Sequence, residues 1–324
     1  MNCTLDGLAK ELELRFGKNK TRQSAINKVH LVRYADDFII TGCTKELLEF
    51  EVKPLVESFL KERGLKLSPN KTRVTSIHEG FDFLGQNIRK YRKEILLITP
   101  SLKSQRAFKD KVNKTLKKLR TAPQNKVINA LNPIITGWGN YHQHVVSKHI
   151  YSTLDNWLWQ RLWHWSYRRH PMKSKRWVSK RYYNSIGLRQ WVFSGIENSK
   201  GKTVFKKLRN LGDIPIRRHV KIKGNVNPYD KIWELYLEQR NDNQMKKQTA
   251  GKVLSLYKRQ KGLCPWCHLA ITPDSRWNIH HKLERIMGGS DKLTNLVLLH
   301  PLCHKQLHYF LTAGLPIPGS LAQA

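Results

Sequence analysis

A chain of 324 residues is long enough for more than one domain, and 59 Lys plus Arg against 24 Asp plus Glu give it a formal charge of +35. That balance points to a polyanionic partner, nucleic acid before membrane, and no long apolar or lipidation segment argues otherwise. Of the five cysteines, three fall in one metal-binding pattern while Cys3 and Cys43 stand alone; with no apolar signal core after Met1, this suits a reducing compartment and argues against secretion.

Residues 1–27 begin with a helical pattern, Leu5, Leu8 and Leu12 with charges between, and run into a basic loop. VHLVRYADDFIITG follows, two runs of β-branched and aromatic residues around Asp36 and Asp37. This is the signature of a hairpin with two carboxylates at its tip. Thr44 to Arg63 reads as a helix, with Thr44 as N-cap, Gly64 just past the end, and Pro54 a point of interruption. GLKLSPNKTRVTSI and FDFLGQNIRKYRKEILLI then alternate as short strands do.

From Ser101 the character changes. Phe108, Val112, Leu116 and Leu119 mark one stripe of a helix whose other faces carry lysine. Residues 101–220 hold 26 Lys and Arg against four Asp and Glu, together with seven of the ten tryptophans. The run DNWLWQRLWHWSYRRH is the densest part. Most of its rings belong in a core, but Arg161, Arg168, Arg169, Lys173, Lys175 and Arg176 around them fit a surface that grips the phosphates of a folded RNA. Residues 201–245, basic and turn-rich and then polar, read as a DNA-contacting or linking segment, and the tail after Phe310 as poorly ordered.

Between Cys264 and His308 lie six of the fourteen histidines. Cys264 and Cys267 form a C-x2-C knuckle, and His300 and Cys303 an H-x2-C knuckle. Together they supply the three thiolates and one imidazole of a closed tetrahedral zinc site. His280, His281, Asn295, His304 and His308 remain, and a structural knuckle leaves them unexplained. Four residues apart on a helix, His304 and His308 lie on one face and can share one metal.

This layout resembles the HNH (ββα-metal) nucleases. Tyr34-Ala35-Asp36-Asp37 between apolar strands looks like the YADD motif of reverse transcriptases. GLKLSPNKT and FDFLG follow it at the distances seen in group II intron reverse transcriptase/maturases. The 101–200 block, with GWGNYHQH, resembles their thumb or maturase (X) domain. The resemblance implies an α+β multidomain chain: a partial polymerase palm over 1–100, the helical X domain over 101–200, the basic segment over 201–245, and an HNH module over 246–324.

The resemblance also implies roles. His281 would be the general base that takes a proton from water. Asn295 would hold it through its second ring nitrogen or backbone. His280, pointing to the opposite side of its strand, would join His304 and His308 in an open site for Mg2+ or another divalent ion. Arg285 would contact phosphate. Zinc accepts His300 where many HNH proteins have cysteine, whereas Glu284 stands where the HHxxP form has proline. Family members carry the fingers and a further catalytic aspartate ahead of the YADD strand. The expectation is therefore a C-terminal fragment that binds intron RNA and cleaves target DNA, in a bacterial cytoplasm or an organelle, and does not polymerise alone. Two rivals stay open: an RNA-folding cofactor with an idle HNH module, and a polymerase half completed by a separate N-terminal half.

Overall fold

The chain divides into two units, Met1–His219 and Val220–Ala324. The computed structural model describes residues 3–18, 21–91, 94–199, 202–223, 226–227, 229–273, 275–317 and 321. Helices and antiparallel sheets coexist, compatible with α+β. Among the described residues no helix is long and apolar enough to cross a membrane.

The first unit opens with α1 (Leu8–Phe16), whose Leu8, Leu12 and Phe16 are buried at the i, i+4, i+8 spacing of one helical face. Helix α2 (Arg22–Asn27) is capped by Thr21, whose hydroxyl accepts from Ser24 N at 3.2 Å. Strands β1 (His30–Tyr34) and β2 (Asp37–Thr41) pair as the expected hairpin, Tyr34 opposite Asp37, with Ala35 at φ 54° in its two-residue turn. Thr44 caps the next helical stretch, accepting from Leu47 N at 3.2 Å. The stretch is not uniform. Leu47–Val52 winds as a π-helix, Lys53 N–H reaching back to Leu48 O, before α3 (Lys53–Lys61) takes over. Pro54 sits at that change, where it has no N–H to donate to an α-helical ladder. Val56, Phe59 and Leu60 of α3 close a small core with Leu5, Leu8 and Leu12.

Of the two stretches expected to form strands, only the second does. Lys71 and Thr72 direct their N–H groups to Ser68 O at 3.1 and 2.9 Å, so the Ser68-Pro69-Asn70 turn uses donors that a strand would need. Strands β3 (Phe81–Phe83), β4 (Gln86–Lys90) and β5 (Leu96–Pro100) form an antiparallel sheet. Ser101 ends β5 and caps α4 (Leu102–Lys118), accepting from Ser104 N.

Helices α5 (Gln124–His142), α6 (Lys148–Arg168) and α7 (Lys175–Tyr182) complete the helical part. Phe108, Val112 and Leu116 of α4 are buried as their stripe requires, against Leu131, Leu154 and Leu158. The GWGNYHQH segment owes its composition to packing. Trp138 Nε1 donates to Ser104 Oγ, which lies 3.0 Å from His142 Nε2, and burial lowers the fully enclosed His142 to about 4. A Cβ at Gly139 would meet Ile214 Cδ1 at 2.1 Å, so with glycine there the Ile214 side chain packs directly on α5, and any larger residue would push it aside. Strands β6 (Tyr183–Ile186), β7 (Arg189–Ser199) and β8 (Lys202–Lys207) form a second antiparallel sheet, fastened to α5 by Gln124, which donates to Tyr182 O and Ser194 O. Residues 201–245 are thus not one segment: β8 completes this sheet, and the second unit starts at Val220.

That unit holds α8 (Glu234–Gln248), α9 (Gly251–Arg259), the paired strands β9 (Asn278–His281) and β10 (Leu296–Leu299), and α10 (Pro301–Thr312). All four residues of β10 are buried, and Met245, Leu256 and Leu307 pack around them. The tail departs from expectation. Helix α10 continues past Phe310, and Ile317 and Leu321 pack into this core; 318–320 and 322–324 lie outside the described residues.

Candidate active site

Two groups of ligand atoms converge in the second unit, each with all its atoms within 4.8 Å of one another. In the first, Cys264 and Cys267 sit on a turn closed by His268 N to Cys264 O at 2.8 Å, and His300 and Cys303 lie at the start of α10. His300 Nε2 is 3.3 Å from Ala270 O, to which it donates, so Nδ1 keeps its lone pair and faces Cys267 Sγ at 3.4 Å. Burial opposes ionisation of Cys264, but the N–H groups of Cys267, His300 and Trp266 outweigh it and draw this thiol below its usual value. Burial, then the neighbouring Cys267, pushes Cys303 up to about 12. Cys264 and Cys303 are buried, Cys267 and His300 half-buried, and three sulfurs with one imidazole are the donor set zinc takes.

The second group is His280 with His304 and His308. β9 supplies the first, its side chain buried beneath α10, and one face of α10 supplies the others, as their spacing requires. His304 Nε2 and His308 Nε2 stand 3.3 Å apart. Two imidazole lone pairs face each other at that distance only around a proton or a metal. Burial, with His308 and His304 nearby, lowers His280 to about 4, and burial lowers His304 as well, both shifts favouring the neutral ring that binds a metal. The Asn278 side-chain amide lies 3.4 Å from His304 Nδ1. Three protein ligands on an open surface fit a divalent cation with positions to spare.

His281 faces away from this group, as alternation along a strand dictates. Its Nε2 lies 2.7 Å from Asp291 Oδ1. A carboxylate accepts only, so Nε2 carries the proton and Nδ1 the lone pair that a base needs. Arg285 Nε approaches the same nitrogen at 3.3 Å, but it cannot donate to an N–H; its bonds run to Asp291, from Nη2 at 2.7 and 3.0 Å. His281 and then Arg285 hold the Asp291 carboxyl down at about 2.

Two expectations change here. Asn295 does not touch the His281 ring. Its side chain accepts from Leu283 N at 2.8 Å and donates to Leu283 O and Ser290 O at 3.0 and 2.8 Å, and its carbonyl accepts from Lys282 N. It fixes the backbone that leaves His281, while Asp291, unforeseen, holds the ring. Arg285, expected on phosphate, is paired with that aspartate in the free protein.

In the first unit, Asp36 and Asp37 are exposed at the hairpin tip. Among the described residues the two groups able to hold a metal include neither. Around α6 the rings divide: Trp165 is buried, Trp157 and Trp163 pack against the core, and Trp159 is more exposed. Arg161 lies over Trp157 and Lys173 over Trp177, at 5.5 and 5.8 Å. Arg168, Lys175 and Arg176 are exposed. Arg169 differs. Its guanidinium donates to the carbonyls of Arg120, Thr121 and Ala122 and covers Trp165, so it ties the α4–α5 connection to the end of α6 and does not belong with the phosphate-facing group.

Sequence models of three families match in chain order: "Reverse transcriptase (RNA-dependent DNA polymerase)" over residues 1–88, "Group II intron, maturase-specific domain" over 105–183, and "HNH endonuclease" over 264–310. The chain carries reverse transcriptase, group II intron maturase and HNH endonuclease domains. The Ribosomal operon-associated A protein of Euglena longa is 27% identical over 182 residues, 54% of this chain and 34% of that protein. An uncharacterized 91 kDa protein in cob intron of Schizosaccharomyces pombe is 27% identical over 164 residues, 44% of this chain and 20% of that protein. The chain thus spans about a third and a fifth of the length of these relatives. Within the HNH domain fall both metal-ligand groups, His281 and Asp291.

Proposed function

We propose that the HNH domain cleaves DNA by metal-assisted phosphodiester hydrolysis, while the maturase domain binds intron RNA. The observation that carries this reading is the arrangement around β9: His280 facing two imidazoles of α10, and His281, its tautomer set by Asp291, on the strand's other side. Nδ1 of His281 takes a proton from water as the oxygen attacks phosphorus and the 3′ oxygen leaves, and the carboxylate of Asp291 stabilises the imidazolium that forms. His280, His304 and His308 would hold a divalent ion, which would supply stabilisation of the negative charge that develops on phosphate and leaving group. Cys264, Cys267, His300 and Cys303 would hold zinc, which would supply fold stability.

RNA binding rests on the maturase match and on Arg161, Arg168, Lys173, Lys175 and Arg176 around the α6–α7 aromatics. Primer extension is not part of the proposal, because two exposed carboxylates alone do not make a two-metal site. Cysteines without disulfides among the described residues suit a reducing compartment, which we propose to be a bacterial cytoplasm or an organelle.

The test is nicking of supercoiled plasmid by the full chain with a divalent ion. His281→Ala is expected to lower the rate by about 10²–10⁴-fold with zinc content and far-UV signal unchanged. Undiminished nicking by that variant removes His281 from the mechanism.

A further inference from the structure

Between His281 and Asp291 the chain makes a short loop whose tip is apolar. Ile286 is 94% exposed and Met287 68%. Single exposed apolar residues are ordinary. Two in succession, at the end of a loop this firmly held, are not.

Asn295 spends its whole side chain on the loop's two ends, Leu283 and Ser290. Inside, Met287 N and Gly289 N both donate to Glu284 O, at 2.9 and 3.0 Å, and Arg285–Met287 forms one 3-10 turn ending in Gly288 at φ 84°. A Cβ at Gly289 would lie 1.9 Å from Leu283 O, so the loop closes on itself only because that position is glycine. Arg285, next to Ile286, is bound to Asp291, which is bound to His281. The apolar tip therefore starts one residue from a group touching the base, and its orientation is fixed before any partner arrives.

We infer that Ile286 and Met287 form a rigid wedge that enters a base step of duplex DNA beside the phosphodiester to be cut, unstacking it. The inference rests on the cleavage reading for its location. A pair of side chains is far too small for a stable protein–protein contact, which buries roughly 800 Å² on each partner. The loop leaves the sheet at Lys282 and rejoins it at Leu296, with Lys292 on the return, and Lys252 Nζ reaches Asp291 O at 3.3 Å. A polyanion is the surface such flanks accept. Apolar Ile and Met side chains are among those that proteins push between base pairs, and the resulting kink opens the backbone to groups seated beside it.

The experiment uses the full chain and short duplexes carrying 2-aminopurine in a flexible pyrimidine–purine step, whose fluorescence rises when the base unstacks. The protein should raise it, and the Ile286→Ser/Met287→Ser double variant should bind without doing so. Intact plasmid should be nicked about ten- to hundredfold more slowly by the variant, whereas a duplex mismatched at the cut site, already unstacked, should be cut at the original rate. Equal losses on both substrates, or an undiminished fluorescence rise, overturn the wedge. If the protein nicks nothing yet raises fluorescence through Ile286 and Met287, the wedge holds and the cleavage reading fails. No rise with any duplex overturns the wedge whatever cleavage shows.

Discussion

The chain carries two constellations of residue types that polynucleotide enzymes use, and they differ in what surrounds them. At the hairpin tip, Asp36 and Asp37 come from one turn and stand exposed. Beside β9, three imidazoles come from two elements, one of them buried, and His281 is held by a carboxylate that is itself held by arginine. Residues adjacent in sequence give a motif. Convergence of separate elements, with each polar atom engaged, gives a site.

The contrast can be broken most severely by removing the zinc ligands. Structural zinc contributes on the order of 10 kcal/mol in small modules. Cys303→Ser should therefore abolish cooperative melting of residues 220–324 together with nicking, and leave the melting of the first unit, hairpin included, where it was; calorimetry distinguishes the two. Next comes Asp291→Asn, which lets the imidazole take either tautomer. It should slow nicking by about 10- to 100-fold without raising the metal concentration needed. An unchanged rate would leave Asp291 a surface partner of Arg285 and nothing more.

Within the first unit the contrast lies between arginines. Arg169→Ala should cost about 2–3 kcal/mol in urea unfolding, because its charged donors serve three carbonyls. Changing Arg168, Lys175 and Arg176 together should leave stability alone and reduce the salt dependence of RNA binding, by a slope of about 0.7 for each phosphate no longer neutralised. The smallest effect belongs to Asp36→Asn, expected to change neither nicking nor RNA retention on filters. A loss of nicking there would mean that the hairpin takes part in cleavage.

Much of this was legible from spacing. The i, i+4 histidines, the two knuckles, the hairpin and the α4 stripe depend on periodicities the backbone imposes wherever it is regular. What stayed hidden depended on closure across the loop or the fold. Asp291 follows Gly288-Gly289-Ser290, a run that reads as an ordinary turn, and only the bend through Gly289 brings it to His281. Arg169 sits beside Arg168 and looks the same in sequence; their one-residue offset turns one toward the α4–α5 carbonyls and the other to solvent. Leu321 was unreadable for a related reason, since a lone leucine in a small-residue tail carries no period.

Cys303 and His304 are adjacent on α10, one facing the thiol cluster and the other the imidazole cluster. Neither set of ligands can be gained or lost by shifting the helix, because a slip of one residue would misplace both. The module can instead decay by substitution, and it can do so unevenly. On the proposed mechanism, losing His281 would silence it while Cys264, Cys267, His300 and Cys303 could still hold a zinc ion and keep it folded. An intron protein that had retired its nuclease would then show intact cysteines around a missing histidine. This chain keeps both.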